Sequence, residues 1–180
     1  MAERVPTGFC PPSAAFFGHM GAALALGLAN VGSAYGTAKA GVALAHLGIQ
    51  QPARVMRGLV PVVMAGILGI YGLIVAVIIV SGITKEYSAY KGFLHLGAGL
   101  AAGMASMAAG YAIGMVGDSC CFAYAKTDKV FVAMILMLIF SEALGLYGLI
   151  VALLMNSTAA KGESMPRLSR LVSPSLSSTV

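Results

Sequence analysis

The sequence predicts an all-α membrane protein whose four transmembrane helices arise from a duplicated helical hairpin and assemble into a ring. Of the 180 residues, 59% are hydrophobic and only 9% are charged, whereas ordinary globular domains carry about 25% charged residues. Four apolar runs are each long enough to cross about 30 Å of hydrocarbon as a helix. The two halves of the chain also match each other at a constant offset of 76 residues.

Charge and cysteine content argue against several classes of site. The net charge of +5 is spread over the connections and the tail, without the Lys/Arg cluster that binds nucleic acid. Cys10, Cys120 and Cys121 form an odd set with one vicinal pair, which fits neither a disulfide framework nor a zinc site. We therefore expect no metal, no cofactor and reduced thiols, with lipidation of a loop cysteine as the alternative.

The first hairpin is predicted over residues 13–84, after a short polar lead at 1–12. Its spans cover about 13–38 and 58–80, separated by a mixed loop or helix extension at 39–57. A secretory signal would also begin near the N-terminus, but its apolar region is shorter than this first run. Because the first run has a counterpart later in the chain, we interpret it as a retained span.

The second hairpin is predicted over residues 85–155. Its spans cover about 92–117 and 130–155, and a polar connection at 118–129 joins them. The tail at 156–180 is rich in serine and carries scattered charges, so it cannot bury a core of its own. This composition predicts a tail that is disordered or loosely bound to the surface.

The internal repeat is specific. Residues 68–76 match residues 144–152 at eight of nine positions, and the same offset aligns the aromatic and small residues of 17–35 with those of 93–111. An even number of spans separates the two copies, so both hairpins cross the membrane in the same direction. The repeat is therefore parallel, unlike the inverted repeats of many transporters.

The first and third spans consist largely of glycine, alanine and serine. Small residues let helix backbones approach closely in lipid, where packing drives association. Here they cover most of the helix circumference, which favours the inner wall of a ring over simple pairing of two helices. The second and fourth spans carry bulky side chains and suit an outer wall that faces lipid.

Glu142 is the single charged residue between Val130 and Met155. A carboxylate at this depth costs several kcal/mol and is retained for a function. No predicted span contains a lysine or arginine to pair with it, and an unpaired carboxyl group in a dry site takes up a proton. We therefore predict that Glu142 is a reversible proton carrier. Its repeat equivalent is Gly66, so the first hairpin lacks the carboxylate.

Three hydroxyl groups are candidate hydrogen-bond donors to Glu142: those of Tyr71, Ser141 and Tyr147. Tyr71 and Tyr147 occupy equivalent repeat positions, so packing alone also explains them. His95 is predicted to lie near the membrane surface rather than in a proton relay.

Several segments resemble the ring proteolipids, or c subunits, of vacuolar-type proton ATPases, and the resemblance covers about residues 14–155. The segments that carry it are 140–153, 61–67, 110–118 and 34–39. It implies a four-helix proteolipid within a rotor ring, with Glu142 as the carboxyl group that carries the proton and that carbodiimides modify. It also implies that ATP is hydrolysed elsewhere in the complex, in keeping with the lack of a Walker glycine loop here.

The resemblance further implies partners and an orientation. The ring contains copies of this chain, alone or with paralogous proteolipids. It turns against the a subunit of the stator, which has an essential arginine, and it carries the d subunit of the central stalk. Loops 39–57 and 118–129 are expected in the cytosol, and both termini in the lumen of a vacuole or another acidic organelle. The chain departs from the family pattern at Pro52-Ala53 and at residues 126–129, where the loops face the stalk.

Two other functions are open on the residues alone. One is a four-span pore or membrane-adhesion protein, which would tolerate Glu142→Gln. The other is a small proton-coupled exporter, for which a parallel hairpin repeat with a small-residue inner wall is ill suited.

Overall fold

The computed structural model describes the backbone of residues 12–84 and 87–172, and the side chains over 13–84 and 87–160. Four long helices dominate this part of the chain, and a 3₁₀ turn at Pro52–Arg54 and a short helix, α2 (Val55–Gly58), precede the second of them. The long helices are α1 (Pro12–Gln50), α3 (Val60–Ser81), α4 (Ala89–Lys126) and α5 (Val130–Val172).

The predicted fold class is confirmed. Four helical segments in the described residues are long and apolar enough to cross a membrane. Each begins at the start of a predicted span or a few residues before it. These segments are Ser13–Gln50, Pro52–Ser81, Ala89–Lys126 and Val130–Ala160.

Of the two alternatives predicted for residues 39–57, the helix extension is present over 39–50, because α1 continues to Gln50. The predicted loop at 118–129 is wrong over 118–126, because α4 continues to Lys126. Ala40, Ala43 and Leu47 are at most 1% exposed and lie three to four residues apart. They therefore extend the buried stripe of α1 beyond the uncharged run. Hydropathy marks the part of a helix suited to hydrocarbon, whereas packing decides how far the helix extends.

The predicted disordered tail is also wrong over residues 156–172, because α5 continues to Val172. Ala159 is 1% exposed, so the helix still packs on the rest of the chain one turn beyond the predicted end at Met155. Residues 173–180 of the tail, and 1–11 of the predicted lead, lie outside the described residues, as do Lys85 and Glu86.

The two hairpins lie side by side and are joined through α1 and α4. A Cβ atom added to Gly32 would lie 2.5 Å from the Cα of Met107, and one added to Gly36 would lie 2.7 Å from the carbonyl oxygen of Gly110. Real Cβ atoms do not approach backbone so closely, so these backbones are in direct contact. The close packing that the small residues predict for the first and third spans is present.

The outer helices complete a core near the α1–α3 and α4–α5 connections. α3 packs on α1, α5 packs on α4, and α3 and α5 meet each other. Both described cysteines belong to this core, with Cys120 7% exposed and Cys121 fully buried. Their burial favours a packing role for both thiols. Neither position offers an accessible thiol for the alternative, lipidation. The buried members are Ala43, Ala65, Leu68, Ala109, Ile113, Cys120, Cys121, Met134 and Leu138.

Arg54 links the connection before α3 to the connection between α4 and α5. Its guanidinium donates to the Asp128 carboxylate over 2.8 Å and to the carbonyl oxygen of Tyr124 over 2.8 Å. The guanidinium carbon also lies 5.5 Å from the centre of the Tyr124 ring, within the range of a cation–π contact. These contacts hold the two connections together at one end of the molecule.

Tyr87 anchors the opposite connection, between α3 and α4. It is 4% exposed, and its hydroxyl lies 2.6 Å from Nδ1 of His95. Burial raises the pKa of Tyr87 to about 12, so the hydroxyl stays protonated at any physiological pH. His95 is 2% exposed and is therefore buried within the protein, and its expected depth near the membrane surface stays a prediction.

Candidate functional site

Glu142 lies near the middle of α5 and turns its side chain toward α3. The residue is 7% exposed, and the hydroxyl of Tyr71 donates a hydrogen bond of 2.9 Å to its Oε1. The two residues are 71 positions apart in the chain, so the contact depends entirely on how α3 and α5 pack.

Glycines on α5 allow this approach. A Cβ atom added to Gly145 would lie 2.6 Å from Cδ2 of Leu68 and 3.8 Å from Cδ2 of Tyr71, both on α3. One added to Gly148 would contact the Cβ of Ala105 on α4. The glycine nearest Glu142 thus brings α5 against α3, and the next one brings it against α4, which fixes the rotation of α5 and aims the carboxyl group at Tyr71.

The second carboxyl oxygen has no donor in the described part of the chain. Oε2 of Glu142 is buried and makes no hydrogen bond there. Neither of the ion pairs Lys39–Asp118 and Arg54–Asp128 involves Glu142. The described neighbour that stabilises the carboxyl group is therefore a neutral hydroxyl rather than a cation.

The structure does not bring the other two candidate donors to Glu142. The hydroxyl of Ser141 donates to the carbonyl oxygen of Met137 within its own helix, over 3.0 Å. Tyr147 is 62% exposed. Five residues along an α-helix correspond to a rotation of about 140° relative to Glu142, so Tyr147 faces away from α3. Sequence proximity alone could not separate these three candidates, because it contains no information about helix rotation.

Gly66 occupies the position equivalent to Glu142 on α3. A Cβ atom added there would have no heavy atom within 4 Å among its described surroundings. The first hairpin thus presents open space where the second presents a carboxyl group held by Tyr71.

This arrangement is suited to reversible proton binding. One oxygen of Glu142 is fixed by a hydroxyl donor, and the other is free to carry a proton or to meet a group that comes from outside the described chain. A single donor is too weak to hold an anion permanently in a dry site. The carboxyl group can therefore be neutral in hydrocarbon and ionise when a cation or water reaches it.

Comparisons with known proteins agree with the repeat and with the membrane fold. The sequence profile of the ATP synthase C subunit family matches residues 20–79 and 96–155, so the second match begins and ends 76 residues after the first. Tyr71 lies in the first matched segment and Glu142 in the second.

Curated relatives cover most of the chain. A V-type proton ATPase 16 kDa proteolipid subunit of Chrysotila carterae is 57% identical over 157 residues, which is 84% of this chain and 96% of that protein. The 16 kDa proteolipid c subunit of the Homo sapiens V-type proton ATPase is 50% identical over 147 residues, 82% of this chain and 95% of that protein. A V-type proton ATPase proteolipid subunit of Dictyostelium discoideum is 49% identical over 159 residues, 87% of this chain and 81% of that protein.

Proposed function

Because the chain belongs to the ATP synthase C subunit family, as a proteolipid of a V-type proton ATPase rotor ring, we propose that Glu142 carries the proton around that ring. The observation that supports this role is a buried carboxyl group in the middle of an apolar helix, with one hydroxyl donor. Acidic groups at such depth are retained in membrane helices for a function. Family membership also argues against the pore, adhesion and exporter functions that the residues alone left open.

The site geometry supports a carboxyl group that is neutral while it faces hydrocarbon. Oε1 of Glu142 accepts from Tyr71, and Oε2 would carry the proton. An ionised Oε2 without a donor would cost several kcal/mol in this environment. The site therefore retains its proton during rotation and loses it only where another group reaches Oε2.

A stator arginine can supply that group. In the proposed cycle, an aqueous path on one side protonates Glu142, and the neutral acid travels through lipid as the ring turns. A guanidinium from the stationary a subunit then pairs with the carboxylate, because charge-assisted hydrogen bonds strongly favour the ionised form. The proton leaves on the other side of the membrane, and ATP is hydrolysed in other subunits of the complex.

The missing carboxylate at Gly66 limits each four-helix chain to one proton. A rotor that transports fewer protons per turn has more of the free energy of ATP hydrolysis available for each proton. One elementary charge moved against a membrane potential requires about 2.3 kcal/mol per 100 mV. The ring therefore suits transport against a steep gradient.

The proposed orientation places the α1–α3 and α4–α5 connections in the cytosol and the termini in the lumen of an acidic organelle. These connections carry Arg54, Arg57, Lys126 and Lys129, in keeping with the preference of basic residues for the cytosolic side. The same end, held together by the contacts of Arg54, would meet the d subunit of the central stalk.

Carbodiimide labelling tests the proposed role directly. These reagents attack a protonated carboxyl group, so we expect one adduct per chain, on Glu142, in parallel with loss of ATP-driven acidification of membrane vesicles. Mass spectrometry of the peptides locates the adduct. Glu142→Gln should take up no label.

Asp118 provides the internal control for this labelling. Its side chain is 29% exposed and forms an ion pair of 3.8 Å with Lys39, so it should not react. An adduct on Asp118 that accompanies the loss of pumping, with Glu142 unmodified, would contradict the proposal.

Tyr71→Phe should slow pumping without preventing assembly, because the carboxyl group loses its hydroxyl donor. Hydrogen bonds between membrane helices average about 0.6 kcal/mol with a maximum of about 1.7 kcal/mol, which corresponds to a rate about 3- to 20-fold lower. The initial rate of vesicle acidification at equal ring content measures the effect. Tyr147→Phe is the matched control, because it removes the repeat-equivalent hydroxyl, which does not contact Glu142. Equal slowing by both variants would exclude a specific role for Tyr71.

A further inference from the structure

His95 belongs to a buried polar cluster at the end of the molecule where α3 connects to α4. Its partners in the cluster are Tyr87 and Lys91, and the three residues are 2%, 4% and 7% exposed, respectively. Lys91 and His95 are four residues apart, so they lie on the same face of α4. The Asn156 side chain of α5 forms a hydrogen bond with His95. None of these groups takes part in the proposed proton cycle at Glu142.

Two glycines bring this cluster against the first hairpin. A Cβ atom added to Gly18 on α1 would lie 2.5 Å from the hydroxyl oxygen of Tyr87. One added to Gly82, directly after α3, would lie 3.2 Å from Cε1 of His95. Both rings therefore lie on bare backbone, one on α1 and the other at the end of α3. Tyr87 and His95 thus hold the start of α4 to both long helices of the first hairpin.

The hydrogen bond within the cluster suits a neutral His95 ring. The Tyr87 hydroxyl lies 2.6 Å from Nδ1 of His95. Because burial raises the pKa of Tyr87 to about 12, the hydroxyl keeps its proton and can donate it to Nδ1. A neutral imidazole has one acceptor nitrogen, whereas an imidazolium donates from both nitrogens. Protonation of Nδ1 would therefore reverse this bond.

An imidazolium would be unfavourable in this closed arrangement. It would lose its hydration in a buried site, and the ammonium group of Lys91 would repel it, whereas the Asn156 side chain would offset part of this cost. Within the described residues, Tyr87 and Lys91 are the titratable groups that face the ring. The described residues 72–84 of α3 and its connection carry no titratable side chain, and His19 on α1 is exposed. Protonation therefore favours an open arrangement in which the ring reaches water.

We propose that His95 is a lumenal pH sensor, whose protonation releases the start of α4 from the first hairpin and slows the pump as its own product accumulates. The lumenal location rests on the orientation proposed above. An imidazole exposed to water titrates with a pKa of about 6.5, so the open arrangement binds a proton below that pH and the closed one resists it. The stability of the closed arrangement therefore rises with pH and is lost in acid.

The first hairpin connects this cluster to the proton site. His95 lies against Gly82 at the end of α3, and the same helix presents the Tyr71 hydroxyl to Glu142. When the end of α3 loses this contact, the helix is held less firmly in the rotation that aims Tyr71 at the carboxyl group. Acid in the lumen would thus weaken the donor on which the proton site depends.

The repeat supplies a matched histidine outside the cluster. His19 stands 76 residues before His95, but it is exposed, and its Nδ1 lies 2.7 Å from the carbonyl oxygen of Ala15 in its own helix. Protonation of His19 therefore charges a ring that already reaches water and requires no opening. His19→Gln and His95→Gln each remove one titrating ring, and a glutamine at the second position can still accept a hydrogen bond from Tyr87.

Hydrogen–deuterium exchange of the intact complex in lipid nanodiscs tests the opening. After correction for intrinsic exchange rates, the amides of residues 87–95 should exchange about tenfold faster at about pH 5.5 than at about pH 7.5, in the wild type and in His19→Gln. His95→Gln should be equally protected at both pH values. Equal protection of the wild type at both values would overturn the proposal, and so would a pH dependence that survives in His95→Gln. The wild-type comparison needs no substitution, so it decides the matter even if a variant fails to assemble.

ATP-driven proton uptake by membrane vesicles tests the consequence for the pump. When the lumenal buffer is changed from about pH 7.5 to about pH 5.5, the wild-type rate should fall about threefold further than the rate of His95→Gln, the loss expected for one average hydrogen bond between membrane helices. Equal losses in the two proteins, or a response to external rather than lumenal pH, would overturn the proposed sensing. The exchange experiment does not depend on proton transfer, so the pH sensor and the proposed role of Glu142 can fail separately.

Discussion

Glu142→Gln is expected to abolish ATP-driven proton transport while the ring still assembles. The amide has nearly the shape of the protonated acid and can still accept from Tyr71 through its oxygen, so packing at the site is preserved. It cannot ionise, so it can neither release a proton to water nor pair with a stator arginine. Acidification of membrane vesicles should fall to the level seen without ATP.

Glu142→Asp separates charge from position. Aspartate keeps the carboxyl group but is one methylene shorter, so it cannot reach the Tyr71 hydroxyl from the same backbone position. We expect transport to be slowed but measurable, which places this variant between the wild type and Glu142→Gln. The acidification rates of both variants are measured at equal ring content in vesicles prepared in the same way. A normal rate with the Gln variant would refute the rotor mechanism at this residue.

Gly110→Leu is expected to prevent stable packing of the two hairpins. A Cβ atom at Gly110 would contact the carbonyl group of Gly32 on α1, and that contact is with backbone rather than with a flexible side chain. The helices would have to separate, which removes the close packing on which association in lipid depends. Assembled ring in membranes should fall to near zero, as measured by native gel electrophoresis of detergent extracts.

Met107→Leu is the matched control for this substitution. The backbone of Met107 lies in the same α1–α4 contact, but its side chain is 39% exposed, so a leucine there replaces one exposed side chain by another of similar size and adds no bulk between the backbones. Ring content should remain normal. If Gly110→Leu assembled as well as Met107→Leu, the direct backbone contact between the hairpins would not be required for the fold.

Glu142 illustrates how much of the site could be predicted from the sequence. A charge in a long apolar run is conspicuous in one dimension, and the 76-residue repeat identifies Gly66 as its empty counterpart. The choice among Tyr71, Ser141 and Tyr147 could not be made in the same way. Ser141 is adjacent in the chain and bonds within its own helix, whereas Tyr71 is 71 residues away and makes the contact.

The ends of the helices also separate what the local sequence predicts from what packing decides. Hydropathy located all four spans, because the cost of polar groups in hydrocarbon is a property of each residue and its immediate neighbours. It placed the end of the first span near residue 38, whereas α1 continues to Gln50. Beyond the apolar run, helix length depends on what Ala43 and Leu47 pack against, and those partners come from distant parts of the chain.

The sequence by itself determined the class of protein, the parallel duplication, the number of spans and the single carboxyl group at membrane depth. These follow from composition, periodicity and self-similarity, which need no knowledge of contacts. Tertiary structure alone decided that Glu142 turns inward to Tyr71, that Tyr147 faces away from it, and that Gly66 is open. The physical reason is that glycine contacts between helices fix the rotation of each helix about its axis, and a rotation has no signature in hydropathy.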